Sequence, residues 1–369
     1  MVATSDAESR HQVQLRAPTN PQSLEIALQI DGSGVASGPA AADDTGDGQD
    51  QTPILGRIGA ADIDADGNLL VADYQQNQIL VFGSTGQFVR SIGGPGQGPG
   101  EFQIPVAVGT LGDTVFVFDN QLYRLSLFNR GDGSFIGSTN LKRGEWRPRT
   151  VVGITATHAV AVAGPPPPPG MVPGQMVDEE VRLVPFPGDG EGRTIWRTPG
   201  TDWKQIEVNG VRMLRNMPLS PNSTCDFQER TGYCAYQKDV AVHAFDLVGT
   251  SLGSVSVSAP ERRVSASERE SILASFANRA LRDQMIIPDY HPAFSASIVA
   301  DDRGRVWFRR EANSDTNTEY WIIDRRTETA TSVVMEGSVV IEAVRDGRAL
   351  GRARDSDGSE SVVVYLAPD

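Results

Sequence analysis

The sequence predicts an all-β protein: a six-bladed β-propeller of four-stranded antiparallel blades, closed by an N-terminal strand and interrupted by one helical insertion. Three observations carry that expectation. Strand-like units recur at a fixed interval, with Asp73 and Asp119, and Phe82 and Phe128, each separated by 46 residues, the length of one four-stranded blade. Short β-branched runs alternate with turn signals, and 38 glycines and 23 prolines supply those turns. Finally, SLEIALQ (23–29) alternates apolar and polar residues but has no partner in the first unit. The last unit ends one strand short, soon after Tyr365. The N-terminal segment is therefore expected to complete the last blade and remove a free sheet edge.

The units follow in order. VADYQQNQILVFGSTGQFVRSIG from Val71 and VFDNQLYRLSLFNRGDGSFIGS from Val117 define the first two. THAVAVAG (157–164) with VRLVPFPGDGEGRTIW (181–196) gives a third, and CAYQKDVAVHAFDLVGTSLGSVSV a fourth. SIVADDRGRVWFRR with TEYWIIDRRTETATSVVM gives a fifth, and VVIEAVRDGRALGRARD with SESVVVYLA a sixth. DIDADGNLLVAD (62–73) nearly satisfies a calcium-loop pattern through Asp62, Asp64, Asp66, Gly67 and Asp73. Its counterparts at 301–310 and 344–353 keep the turn glycine (Gly67, Gly304, Gly347) and lose most of the carboxylates. A turn needs the glycine, whereas a calcium loop needs the oxygens, so a hairpin is expected.

On this reading residues 1–21 are an N-terminal tail and 22–369 a single propeller. Residues 31–52 form a flexible acidic linker. The Pro-rich loop 164–176 is expected to be stiff and PPII-like, either a rigid stand-off or a docking ligand. The insertion at 265–283 is expected as a helix with Ser267 as N-cap and Glu270 completing a capping box. Its apolar stripe of Ile272, Leu273, Phe276, Ala280 and Leu281 would lie across a propeller face.

The net charge of −14 disfavours nucleic acid and anionic lipid as partners. No apolar run reaches the length of a membrane span. The start, MVATSDAESRHQVQL, shows no charged region followed by an apolar one, so the chain is either cytosolic or parted from a leader. Cys225 and Cys234, the two cysteines, flank a polar hairpin-like segment. Their pairing as a disulfide is expected against the alternative of two unrelated thiols, and it would indicate an oxidising, periplasmic or otherwise extracytoplasmic location.

GGPGQGPGEFQIPVAVG (93–109) resembles the inter-blade junction of NHL-repeat six-bladed propellers, and DIDADGNLLVADYQQNQILVFGSTGQFVRSIG resembles a full repeat of that family. The segment from SASERESILASFANRALRD through PDYHPAFSASIVADDRGRVWFRR is similar to a bacterial branch whose members are often exported or lipid-anchored. The resemblance spans about residues 54–366 and implies the fold. It implies no reaction, since propellers host lyases, lactonases and binding modules alike.

The chemistry-bearing residues are sparse. The four histidines, His11, His158, His243 and His291, fall in the tail and in different units. No zinc set of the kind found in propeller amidating lyases can be built from them, and no metal ligand is assigned. Superposed repeats place Asp73, Asp119, Gly164, Arg310 and Ala353 at equivalent positions. Asp73 and Asp119 are therefore candidate binding residues, with a structural turn role as the alternative. Trp307, Arg309 and Arg310 form an aromatic and basic candidate set. The role expected is a non-enzymatic binding or scaffolding protein with a protein partner, an accessory subunit of a larger bacterial envelope complex. The rival is a calcium-dependent hydrolase or lyase in the central channel, calcium being the one cofactor left open.

Overall fold

The computed structural model describes residues 12–41, 53–164, 177–201, 203–208, 210–310, 317–355 and 357–369. The six blades run in chain order. Blade 1 consists of Ile58–Ile63, Leu69–Asp73, Gln78–Phe82 and Phe88–Ile92. Blade 2 consists of Pro105–Leu111, Thr114–Asp119, Arg124–Asn129 and Phe135–Asn140. Blade 3 consists of Thr150–Ile154, His158–Ala163, Glu179–Pro185 and Arg193–Thr198. Blade 4 consists of Ser223–Gln228, Thr231–Tyr236, Val240–Asp246 and Ser251–Val257. Blade 5 consists of Ser295–Ala300, Arg305–Arg310, Asn317–Asp324 and Thr329–Glu336. Blade 6 takes three strands from the C-terminus, Ser338–Arg345, Arg348–Arg354 and Glu360–Leu366.

The fourth strand of blade 6 is Ile26–Ile30, antiparallel to Glu360–Leu366, with Ile30 opposite Val362 and Ile26 opposite Tyr365. The ring therefore closes as the sequence predicts. The N-terminal segment does more than that. Gln12–Leu15, inside the expected tail, adds a parallel strand to the outer edge of blade 4. Gln22–Ser23 does the same for blade 5.

The core is a set of six seams. In blade 1, Leu69 and Val71 point into a cluster shared with Leu350, Val362 and Val364 of blade 6. The alternate residues Leu70 and Ala72 point into a cluster shared with Val115, Val117 and Phe128 of blade 2. The same sharing links blades 2 and 3, 3 and 4, 4 and 5, and 5 and 6. A strand buried on both faces reads as a continuous apolar run, which is why LLVAD is buried at every position.

The hairpin reading of DIDADGNLLVAD holds. Asp64 is buried and accepts the backbone N–H of Asp66 (2.9 Å) and Asn68 (2.8 Å), while Gly67 sits at φ +81°. These bonds occupy the carboxylate as a turn organiser.

Three expectations change in detail. Residues 31–41, in the expected linker, include a short strand, Ala36–Ser37, paired with Ile26–Ile30. The rest of that linker, and residues 165–176 of the Pro-rich loop, lie outside the described residues. The insertion is two helices, α1 (Ala266–Ala274) and α2 (Arg279–Arg282). Its N-cap is Ser265, whose box partner is Glu268. SASERE contains both Ser-x-x-Glu frames, and the earlier one is favoured by Arg262, whose Nη1 donates to Glu268 Oε1 (3.0 Å). The stripe Ile272, Leu273, Phe276, Ala280 and Leu281 buries nothing completely. Polar contacts fix the insertion instead. Gln284 bonds both the N–H and the carbonyl of Glu207 on the hairpin Trp203–Val208/Val211–Asn216.

Candidate functional site at the channel

The six first strands form the inner ring, each nearest its two neighbours around the channel. Together they wall a cavity of ≈ 270 Å³ to which every blade contributes. Its wall includes Asp62 of blade 1, Thr110 of blade 2, Ile154 of blade 3, Asp226 of blade 4, Ala300 of blade 5, and Glu342 and Arg345 of blade 6. The cavity lies toward the turns that join first to second strands.

Four carboxyl groups line it, Asp62, Asp226, Glu342 and the exposed Glu229, together with the Arg345 guanidinium. Arg345 Nη1 donates to the Ile63 carbonyl (2.7 Å) and the Thr110 hydroxyl (3.2 Å), tying blade 6 to blades 1 and 2. Burial pushes the Asp62 carboxyl up to about 6, against the pull of the Arg345 charge. Burial also pushes Asp226 up to about 6, opposed by the backbone N–H of Ala300 and Phe227, with Asp62 as a neighbouring like charge. Glu342 is pushed up to about 7 by burial, although Arg352 Nε lies 2.9 Å from its Oε1. Each side chain keeps part of its surface open to the cavity. Desolvation is the common cause: enclosed carboxylates lose water and prefer their neutral form.

The sequence-based candidates lie elsewhere. Asp73 is fully buried and accepts backbone N–H bonds from Gly56 (2.8 Å), Gln75 (2.9 Å) and Gln76 (3.0 Å). A Cβ at Gly56 would stand 2.7 Å from its Oδ1, so the glycine permits the approach. Asp119, equally buried, accepts from Gln103, Ile104 and Leu122 (2.6, 3.1 and 2.8 Å). Both clamp the junction between blades and neither lines the channel cavity. Trp307 is wholly buried in the seam between blades 5 and 6, with its indole N–H on Asp301 (3.2 Å). Arg309 reaches Ser295 and Ser338 (both 3.3 Å). Arg310 lies over the Trp321 ring at 4.5 Å. The five residues are not brought together at one site.

Sequence reasoning missed Asp226, Glu342 and Arg345, and it read Asp62 only as part of a turn. The repeats were aligned on the ends of second strands, whereas the channel is lined by first strands. The available signal was a charged residue inside a first-strand run, as in ADID, TCDFQ and VIEAVR.

Cys225 and Cys234 are disulfide-bonded and face each other in the first hairpin of blade 4. Among the described residues no group of three or more His, Cys, Asp or Glu side chains comes together as an ion site. No helix among them is long and apolar enough to cross a membrane.

The model of the DUF5128 family, described as a 6-bladed beta-propeller, matches residues 54–143, which are blades 1 and 2. No curated protein matches. Among solved structures, a Bacteroides fragilis protein described as exported aligns with a TM-score of 0.55 at 12% identity, over 97% of this chain and 100% of its own. A DUF4221 member from Bacteroides vulgatus aligns at 0.47 and 10% identity, over 83% and 91%. The calcium-binding protein regucalcin from Agrobacterium tumefaciens aligns at 0.41 and 11% identity, over 86% and 94%. The blade topology, the DUF5128 match over blades 1 and 2 and the alignment at 0.55 establish the fold, a six-bladed β-propeller.

Proposed function

We propose that the chain is a non-enzymatic binding or scaffolding protein of an extracytoplasmic compartment, and that its ligand seat is the channel cavity. One observation carries this reading: all six inner strands converge on one cavity that presents four carboxyl groups and an arginine. A rigid ring of packed seams holds such groups in place without an ordering cost at binding. The disulfide in blade 4 supports an oxidising location. An envelope assembly and membership of the NHL-repeat branch are the finer parts of the proposal. The protein partner would dock on the opposite face, where the 203–216 hairpin and α1 stand.

A second reading has its own support. Carboxyl groups at about 6 and 7 inside a cavity are poised for general acid and base work near neutral pH. The rival is therefore a hydrolase or lyase in the same channel. The described carboxylates do not gather as an ion site, which favours proton transfer over the calcium-dependent version.

Isolation of the full chain from its native source in gentle buffer, with mass spectrometry and metal analysis of the monodisperse peak, separates the two. A stoichiometric partner, or a small molecule recovered unchanged, supports the binding role. A lone chain carrying one equivalent of calcium, or converting the bound molecule, gives the channel enzyme.

A further inference from the structure

The six blades do not treat their outer edges alike. The outer strands of blades 4 and 5 are each covered by a parallel strand from the N-terminal segment, and the closing strand of blade 6 is capped by Ala36–Ser37. Blades 1, 2 and 3 end in strands with no outer partner among the described residues. Exposed edges are ordinarily blunted by charge. Blade 3 follows that rule, with Arg193 and Arg197 exposed on its edge strand. Blade 1 has Arg90 at the centre of its edge strand, reaching over to the carbonyls of Arg130 and Gly131. Blade 2 shares with the other two a one-residue bulge in its edge strand, at Ile136, but carries no charge there. Its edge strand is FIGSTN, Phe135–Asn140, without a charged residue or proline. Phe135 is 39% exposed and Ile136 56%.

What covers this edge is indicated by its flanks. Exposed Asp132 precedes the strand and exposed Lys142 follows it. Two such strands laid antiparallel about a two-fold axis through Gly137–Ser138 bring Asp132 of each copy toward Lys142 of the other. The pairing is self-complementary: uncharged in the middle, opposite charges at both ends. A parallel arrangement would instead set like charges side by side, which is destabilising. Self-association also has to overcome a net charge of −14 per chain. The edge strand itself has no acidic residue, and the segment after it exposes Lys142 and Arg147 with Glu145 between them, so like charge is sparse where the two copies meet.

We propose that the outer edge of blade 2 is an interface between two copies of this chain, joining the two blades into one eight-stranded antiparallel sheet. The dimer is isologous, so the same patch serves both copies. A six-residue edge is small beside a standard interface, so the dimer is a weak and concentration-dependent one. The interface leaves the channel cavity and the face carrying α1 free, so it does not depend on the binding role above.

Analytical ultracentrifugation of the full chain from about 1 to 200 μM tests this. A concentration-dependent monomer–dimer equilibrium is expected. Ile136→Lys, which sets like charges near the axis, raises the dimer constant about ten-fold or more while the melting temperature stays unchanged. Asp132→Lys weakens dimerisation in the same direction, and Asp132→Lys with Lys142→Asp restores it. A chain that stays monomeric to 200 μM overturns the proposal. So does a dimer indifferent to Ile136→Lys, or a charge swap that fails to restore what Asp132→Lys removes.

Discussion

At the scale of single residues, buried carboxylates divide into two kinds. Asp73 and Asp119 accept three backbone N–H bonds each, at zero exposure. Asp73→Ala strands those donors in the blade junction, and the expected loss is about 2–4 kcal/mol, read from urea unfolding. Asp62, Asp226 and Glu342 are of the other kind, with carboxyl groups pushed up by burial. A carboxyl whose folded pKa is raised binds more protons in the native state than in the unfolded one across the interval between the two values. Stability therefore falls as pH rises through that interval. For Asp226 the interval runs from the unfolded value, 3.8, to about 6, and for Glu342 from 4.5 to about 7. The melting temperature should thus rise as pH is lowered from 8 to 5, and Asp226→Asn should flatten that dependence. A profile that falls over this range would show that these groups are ionised and well paired in the native channel. Little of this was legible in the sequence. Asp73 and Asp226 both appear as an Asp in an apolar run, and only the position of each strand in the ring separates a clamp from a cavity wall.

At the scale of elements, period and turn chemistry read well. The 46-residue interval located blades 1 and 2 because both keep the strand-ending Asp and the Phe of the third strand. The cysteine pair was legible from spacing, since a tight turn sets Cys225 opposite Cys234. Removing the pair with Cys225→Ser and Cys234→Ser opens a short loop, and the expected cost is about 2–3 kcal/mol in a thermal or denaturant melt. The insertion read less well. Its length suggested one helix of 19 residues, but the interruption at 275–278, capped afresh by Asn278, breaks it. The apolar stripe suggested packing on the disc, whereas Arg269 holds α1 through the carbonyls of Ile287 and Pro288 (2.7 and 3.2 Å). Periodicity reports an amphipathic pattern, and it does not report whether a neighbour is there to receive it.

At the scale of the whole molecule, closure is the organising fact. Blade 6 is stitched to blade 1 by hydrogen bonds as well as by its apolar seam. Arg352 Nη1 donates to the Ile58 carbonyl (2.8 Å), Glu360 accepts the Ile58 N–H (2.8 Å), and Arg348 Nη1 donates to the Gly67 carbonyl (2.9 Å). The N-terminal segment then runs along three blades in succession. A deletion through Leu15 removes only the strand added to blade 4 and should lower the melting temperature by about 2–6 °C. A deletion through Ile30 removes the fourth strand of blade 6 and should abolish cooperative unfolding. Equal effects from the two would mean that closure is not the dominant contribution of this segment.

The central claim is that the closed ring holds a ligand seat at the channel. The direct measurement is native mass spectrometry of the full chain purified gently from its natural host, beside the variant Thr110→Trp, which sets an indole in the cavity wall and removes one of the two bonds that Arg345 makes there. The account predicts a bound molecule on the unmodified chain, released unchanged on denaturation, and none on the variant. The same bound mass on both proteins, or no bound molecule on either, would contradict it.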